Sequence, residues 1–255
     1  MTDNTTCSSA DSPLEQVRQL YTRLALQPDD DFGWDKGKEN ARRLGYSPDW
    51  LARLPDAVWA ASAAVGNPFS LGPITAGQTV LDLGCGAGAD LCIAALLTGP
   101  HGRAIGFDDT PAMVRKSREN AASMGLTQAE AHEADMSHIP LPDNSVDVVI
   151  ANGSINLSTN KVQVFREIAR VLRPGGRLQF ADMVRDDSTG NGSTSSSGAC
   201  CGDSWADCVS GTLAPEVLLQ LLAESGLAHA QLAGFTAYRT AATTIGALIR
   251  AEKPR

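Results

Sequence analysis

Val80-Leu81-Asp82-Leu83-Gly84-Cys85-Gly86-Ala87-Gly88-Ala89-Asp90 is the stretch that decides the fold. A short apolar run ends in three alternate glycines, and a helical pattern opens directly behind them. Glycine lets a backbone turn sharply while approaching a ligand closely, so this run predicts a strand, a tight elbow and a helix. Such an elbow could serve a dinucleotide, another nucleotide, or only close packing. The acids around it narrow the choice. Asp108 ends the next apolar run about twenty residues on, where a doubly wound sheet offers a carboxylate to ribose hydroxyls. Asp135 closes the run after that and is a candidate acceptor for an adenine amino group; capping or surface roles are the alternative for both acids. Gly-Cys-Gly-Ala-Gly is not the Gly-x-Gly-x-x-Gly of a pyrophosphate site, and Asp82 two residues before the first glycine would repel phosphate while suiting an ammonium group.

Outward from the elbow, short apolar runs alternate with longer amphipathic ones, the signature of a parallel sheet with crossover helices. Strands are expected at 79–83, 103–107, 129–133, 146–151 and 176–183, with helices at 110–124 and 161–171. Residues 214–225 then read as a helix, with Pro215 in its first turn and Gly226 at its end, and 231–238 and 244–251 as strands completing the sheet. Upstream, apolar residues at helical spacing from Leu14 to Leu26 predict a helix stopped by Pro28 and three aspartates, and a second helix follows Ser47-Pro48 until Pro55. Trp34, Trp50 and Trp59 are expected to pack this helical preface on the core. The fold class is therefore α/β, a doubly wound, mostly parallel sheet with an N-terminal helical cover. The expected division is a disordered leader at 1–13, the cover at 14–73, a nucleoside-binding core at 74–184, a flexible Ser/Gly-rich loop at 185–204, and a C-terminal part at 205–255.

The chain of 255 residues carries 21 basic and 29 acidic side chains, a net charge of −8, and its basic residues cluster no further than pairs such as Arg42-Arg43. Nucleic acid and anionic membrane are thus disfavoured as partners. With 43% hydrophobic residues but no apolar run near ~20 residues and no signal-like start, a cytoplasmic protein is expected. Its six cysteines are then reduced, and reactivity or ligation matters more than disulfide bonding. Cys85 and Cys92 read as small packing residues. His101, His132 and His229 lack metal spacing, so no metal is expected, and His138 would act as a base only for a hydroxyl or amine acceptor.

Residues 77–182 resemble the class I S-adenosylmethionine-dependent methyltransferases, a Rossmann-like family. The resemblance rests on Val80–Gly88, Gly106-Phe107-Asp108, Ala134-Asp135-Met136 and Leu172-Arg173-Pro174-Gly175-Gly176. It implies S-adenosyl-L-methionine as cofactor. The methionine moiety would lie near Asp82, Gly84, Gly86 and Gly88, ribose near Asp108 and Asp109, and adenine near Asp135 and Met136, with Asn152 close to the methyl donor.

Three further segments, Gly66-Asn67-Pro68-Phe69, Ala151–Ser158 and Trp205–Leu213, together with residues 40–46, 109–111 and 143–147, resemble the arsenite methyltransferases over nearly all of 14–254. That implies a trivalent arsenic or related thiophilic acceptor, with a cellular thiol as co-substrate and cysteine thiolates as ligands, soft sulfur matching a soft centre. The resemblance implies three cysteines. Val65 and Gly153 stand at two of those positions, and Cys208 remains. Cys200 and Cys201 are candidate replacement ligands, or incidental thiols. An organic acceptor methylated on oxygen, nitrogen or carbon is the alternative that Val65 and Gly153 favour, and cofactor binding without turnover is a second.

Overall fold

The computed structural model describes residues 12–186 and 211–255. Four short helices come first: α1 (Pro13–Leu26), α2 (Gly37–Arg43), α3 (Pro48–Arg53) and α4 (Asp56–Trp59). Ser12 starts α1 as its N-cap, its side chain accepting from the Glu15 N–H at 3.3 Å, with Pro13 in the first turn. The end of the expected leader therefore belongs to the helix. Residues 1–11 lie outside the described residues.

The core is a seven-stranded sheet in the order β3-β2-β1-β4-β5-β7-β6, built from β1 (Thr79–Leu83), β2 (Arg103–Asp108), β3 (Ala129–Glu133), β4 (Val146–Asn152), β5 (Leu172–Arg185), β6 (Ala228–Phe235) and β7 (Thr244–Glu252). The first five strands pair in parallel, and β7 joins β5 antiparallel, as does β6 with β7. Between the strands lie α5 (Ala89–Thr98), α6 (Pro111–Ser123), α7 (Lys161–Val171) and α8 (Pro215–Glu224). This is the doubly wound, mostly parallel α/β architecture that the alternation of patterns predicts.

Some boundaries move. The strand expected at 176–183 runs from Leu172 to Arg185, with Pro174 and Gly175 in an irregularity between the Leu172–Val146 and Arg177–Val148 pairs; Gly175 N–H donates to the Lys253 carbonyl at 2.9 Å. The first two residues of the loop expected at 185–204 are held in place. Arg185 N–H donates to the Leu213 carbonyl at 2.9 Å, and Asp186 pairs with Arg239 at 2.7 Å. The rest of that loop lies outside the described residues. Nearer the C-terminus, the strand expected at 231–238 sits three residues earlier, since the chain turns at Thr236, whose hydroxyl bonds the Val65 carbonyl at 2.8 Å.

Each face of the sheet buries one apolar layer. On one side α5 is apolar all round beyond Asp90 in its first turn, with Leu91, Cys92, Ile93, Ala94 and Ala95 buried, because it lies between the sheet and the cover's Leu54 and Trp59. On the other side Phe165 of α7 meets Phe180 of β5 at 6.3 Å between ring centroids, with Leu222 of α8 alongside. Fully burying a side chain such as Ile93 is worth about 1.5–3 kcal/mol, so both layers hold the sheet rigid beneath the loops.

The register fixes where those loops meet. Leu83 of β1 pairs with Phe107 of β2 and with Ala151 of β4. Gly84, Asp108 and Asn152 therefore emerge side by side at the carboxyl ends of three adjacent strands. Strand order reverses between β1 and β4, the crevice where open α/β sheets bind ligands.

Candidate active site

At that crevice the chain forms an open cleft. Every cofactor-site residue expected from the sequence lines it: Asp82, Gly84, Gly86, Gly88, Asp108, Asp109, Asp135, Met136 and Asn152. Val17 and Tyr21 of α1 form part of the wall, and Arg18 reaches Asp109 at 3.5 Å, a contribution of the cover that apolar periodicity alone does not reveal.

The elbow is a cradle in the physical sense. Gly84 and Gly88 both have left-handed φ, +75° and +87°, and a Cβ on either would collide with a serine, Ser154 or Ser117 respectively. Ser154 is itself pinned by its hydroxyl donating to the Leu83 carbonyl at 2.6 Å. Glycine is thus required by conformation and by space together.

Three carboxylates converge on the elbow. Asp108 accepts from Gly86 N–H and Thr110 N–H, each at 2.9 Å, which fixes its plane; burial still pushes its pKa up to about 6. Asp82 is only 2% exposed, and among the described residues its Oδ2 has no hydrogen-bond partner. Burial, with Asp90 and Asp108 nearby, holds its pKa well above the usual carboxylate range. Asp90, in the first turn of α5, is raised to about 6 by burial, against the hydrogen bonds from Asn152 and Tyr46 that lower it. Like charges this deep are costly unless a cation meets them.

That arrangement fits S-adenosylmethionine and opposes a pyrophosphate. An orphaned carboxylate oxygen at the cleft wall answers an ammonium or sulfonium charge, and Asp90 and Asp82 would repel phosphate from the helix N-terminus that usually receives it. Asp82, Asp90 and the glycine backbone would face the cationic amino-acid end of the cofactor, and Asp108 retains acceptor capacity that a ribose would use. Asp135 is less available than its position suggests. Its carboxylate takes Ser137 N–H at 2.8 Å and the Ser137 hydroxyl at 2.7 Å. Partial burial works to raise its pKa, and these bonds outweigh it, leaving the group below its ordinary value.

Asn152 is a clamp. Its Oδ1 accepts from Val65 N–H at 2.9 Å, while the two hydrogens of Nδ2 have three acceptors in reach, Asp90 Oδ2 and the Tyr46 hydroxyl at 2.9 Å and the Gly66 carbonyl at 3.0 Å. The cover is thereby tied to the cofactor elbow. Asp90 and Tyr46 join the site without a sequence signal of their own. Asp90 looks like an ordinary first-turn acid, and Tyr46 lies 106 positions from Asn152.

The thiols separate into two groups. Cys85 and Cys92 are buried, and burial pushes the Cys85 thiol well up and the Cys92 thiol to about 12, so neither is a ready thiolate. Cys200, Cys201 and Cys208 lie outside the described residues. Gly211, the first described residue after them, packs against the Asn156 carbonyl, and a Cβ there would collide with it. Neighbouring Leu157 and Ser158 line the cleft. His138 is exposed and does not line the cleft; its ring bonds Ser137 at 3.0 Å. Among the described residues no helix is long and apolar enough to cross a membrane.

A family profile described as a methyltransferase domain matches residues 74–226. An arsenite methyltransferase from Halobacterium salinarum is 38% identical over 185 residues, 67% of this chain and 47% of that protein, so the chain spans about half that relative's length. Among solved structures, an arsenic(III) S-adenosylmethionine methyltransferase from Chlamydomonas reinhardtii gives a TM-score of 0.54 at 22% identity, covering 87% of this chain and 74% of that one. A geranyl diphosphate methyltransferase solved with geranyl diphosphate and sinefungin gives 0.65 at 17% identity, covering 95% and 99%. At these identities the two structures speak for the fold.

Proposed function

Since the chain belongs to the methyltransferase-domain family and is an S-adenosylmethionine-dependent methyltransferase, we propose that its acceptor is trivalent arsenic or a related thiophilic species. When bound, the cofactor supplies an electrophilic methyl group on a positively charged sulfur. The chain's own residues do the rest. Asp82 and Asp90 neutralise the cationic end, Asp108 holds ribose, and Asn152 and Ser154 fix the backbone around the elbow. Cys208 is the principal acceptor ligand, with Cys200 and Cys201 as its partners, and a cellular thiol is the co-substrate. Thiolate-bound trivalent arsenic would attack through its own lone pair, the As–C bond forming as the methyl–sulfur bond breaks and S-adenosylhomocysteine leaves. Arsenic thereby becomes formally pentavalent, and the thiol co-substrate would return it to the trivalent state. With no proton to remove, alignment suffices without a general base.

The observation that carries this reading is the seat of Gly211 on Asn156, beside the cleft wall. Cys208 precedes Gly211 by three positions in the sequence. The likeness to the Halobacterium arsenite methyltransferase supports the same choice.

A second reading has its own observation. Val65, where the arsenite methyltransferases lead one to expect a cysteine, is buried with Val17, Leu157 and Met183 in an apolar cluster. Val17 and Leu157 of that cluster line the cleft, which suits an organic acceptor. Incubating the protein with S-adenosylmethionine, a thiol and arsenite separates the two. Methylated arsenic from the wild type, lost in Cys208→Ser and reduced in Cys200→Ser/Cys201→Ser, supports the thiophilic acceptor. No methylated arsenic from the wild type transfers the case to the organic one.

A further inference from the structure

Tyr46 sits between α2 and α3, 3% exposed, its ring edge-on to Trp59 at 5.6 Å and to Phe69 at 6.3 Å. Its hydroxyl lies 2.8 Å from Asp90 Oδ1 and 3.3 Å from the Gly66 carbonyl, and it accepts from Asn152 Nδ2 at 2.9 Å. A hydroxyl has one hydrogen, and the shorter, charge-assisted bond to Asp90 takes it. Tyr46 does not line the cleft; Asp90 does. A residue of the cover thus bonds a carboxylate at the cofactor elbow from behind, and Asn152 bonds the other oxygen of the same carboxylate at 2.9 Å.

We propose that Tyr46 is a positioning residue for the cofactor, its hydroxyl and Asn152 together keeping Asp90 ionised and fixed in the cleft wall. The surroundings of Asp90 make the need clear. Asp82 on β1 bears on it, Asp108 on β2 bears on Asp82, and Cys85 and Cys92 flank them as protonated thiols. Desolvation works against the anion, while the two donated hydrogen bonds work for it. Removing the Tyr46 hydroxyl therefore favours protonation of Asp90, and a neutral Asp90 gives less to a cationic ligand. Tyr46's own burial and its contact with Asp90 hold its hydroxyl protonated far above neutrality, so it stays a donor across the working pH range.

Tyr46→Phe keeps the ring and its edge contacts and removes only the hydroxyl. The test titrates the protein with S-adenosylhomocysteine, which retains the ammonium group, by calorimetry between about pH 5.5 and 8. A one-unit rise in the Asp90 pKa, tenfold in proton affinity, makes the variant about eightfold weaker than wild type at pH 5.5 and about equal at pH 8. In an Asp90→Asn background, Tyr46→Phe should add no pH-dependent loss. A loss of equal size at every pH would mean packing only and overturn the proposal. An unchanged affinity would overturn it too, as would a pH-dependent gap that persists in the Asp90→Asn background. Should Tyr46→Phe fail to fold, wild type against Asp90→Asn decides. Wild-type affinity must fall more steeply below about pH 6 than that of Asp90→Asn, in which Asp108 still titrates; an equal fall in both overturns the proposal.

Discussion

A Cβ added at Gly153 would lie 3.2 Å from Cγ1 of Val65. The two positions where the arsenite methyltransferases lead one to expect cysteines are thus neighbours, although 88 residues apart in the chain, and here they form an apolar contact beside the cleft. Gly153 adopts φ +68°, so any side chain there costs about 1–2 kcal/mol. In a protein whose Cys200, Cys201 and Cys208 are all replaced by serine, the pair Val65→Cys/Gly153→Cys should restore a bidentate thiol site despite that strain. The expected result is stoichiometric retention of a trivalent phenylarsenical through gel filtration under reducing conditions. Retention no better than with Val65→Cys alone would show that the two positions do not act as a pair.

The collision between Gly84 and Ser154 gives a second expectation. Gly84→Ala must adopt a left-handed φ and displace Ser154 from its bond to the Leu83 carbonyl. Together these should cost about 2–4 kcal/mol in urea unfolding. Adding Ser154→Gly should return roughly half of that, the steric half, without restoring cofactor affinity. A second substitution that returns nothing would place the whole cost in the backbone.

Stability should also run against the usual direction with pH. Asp90, Asp108 and Asp182 are buried with pKa values raised to about 6, and Asp82 is raised as well. The folded state therefore binds more protons than the unfolded state between about pH 4 and 6. Stability falls as pH rises through that window and stays lowered above it. Glu130, Asp135 and Glu167, held low by their hydrogen bonds, act oppositely, and their contribution is lost only as pH drops below the ordinary carboxylate range. The protein without cofactor should melt several degrees higher at pH 5 than at pH 7.5 in differential scanning calorimetry. A midpoint that rises steadily to pH 7.5 would mean these acids are solvated.

The sheet was largely legible because period-two and continuous apolar runs such as Thr79–Leu83 and Ala129–Glu133 are local signals. So was the cleft, since glycine spacing and strand-end acids follow from the same register. Helix α2 was not. Its sequence, Gly-Lys-Glu-Asn-Ala-Arg-Arg, has no apolar stripe, and it is held by tertiary contacts such as the Asn40 side-chain amide on the Ala64 carbonyl at 2.8 Å. The clamp of Tyr46, Asp90 and Asn152 escaped for the same reason. It joins three distant segments through hydrogen bonds that leave no periodicity behind.

The central claim is that a ring of buried acids around the glycine elbow recognises the positive charge of S-adenosylmethionine. Calorimetric titration of that cofactor into wild type and Asp82→Asn, in two buffers of unlike ionisation enthalpy, tests it most directly. Wild type should bind with net proton release, and Asp82→Asn at least about tenfold more weakly. The variant without cofactor should melt no lower than wild type, because a buried acid that must hold a proton to stay neutral has become an amide that is neutral throughout. Equal affinities in the two proteins, or no proton release from the wild type, would contradict the central claim.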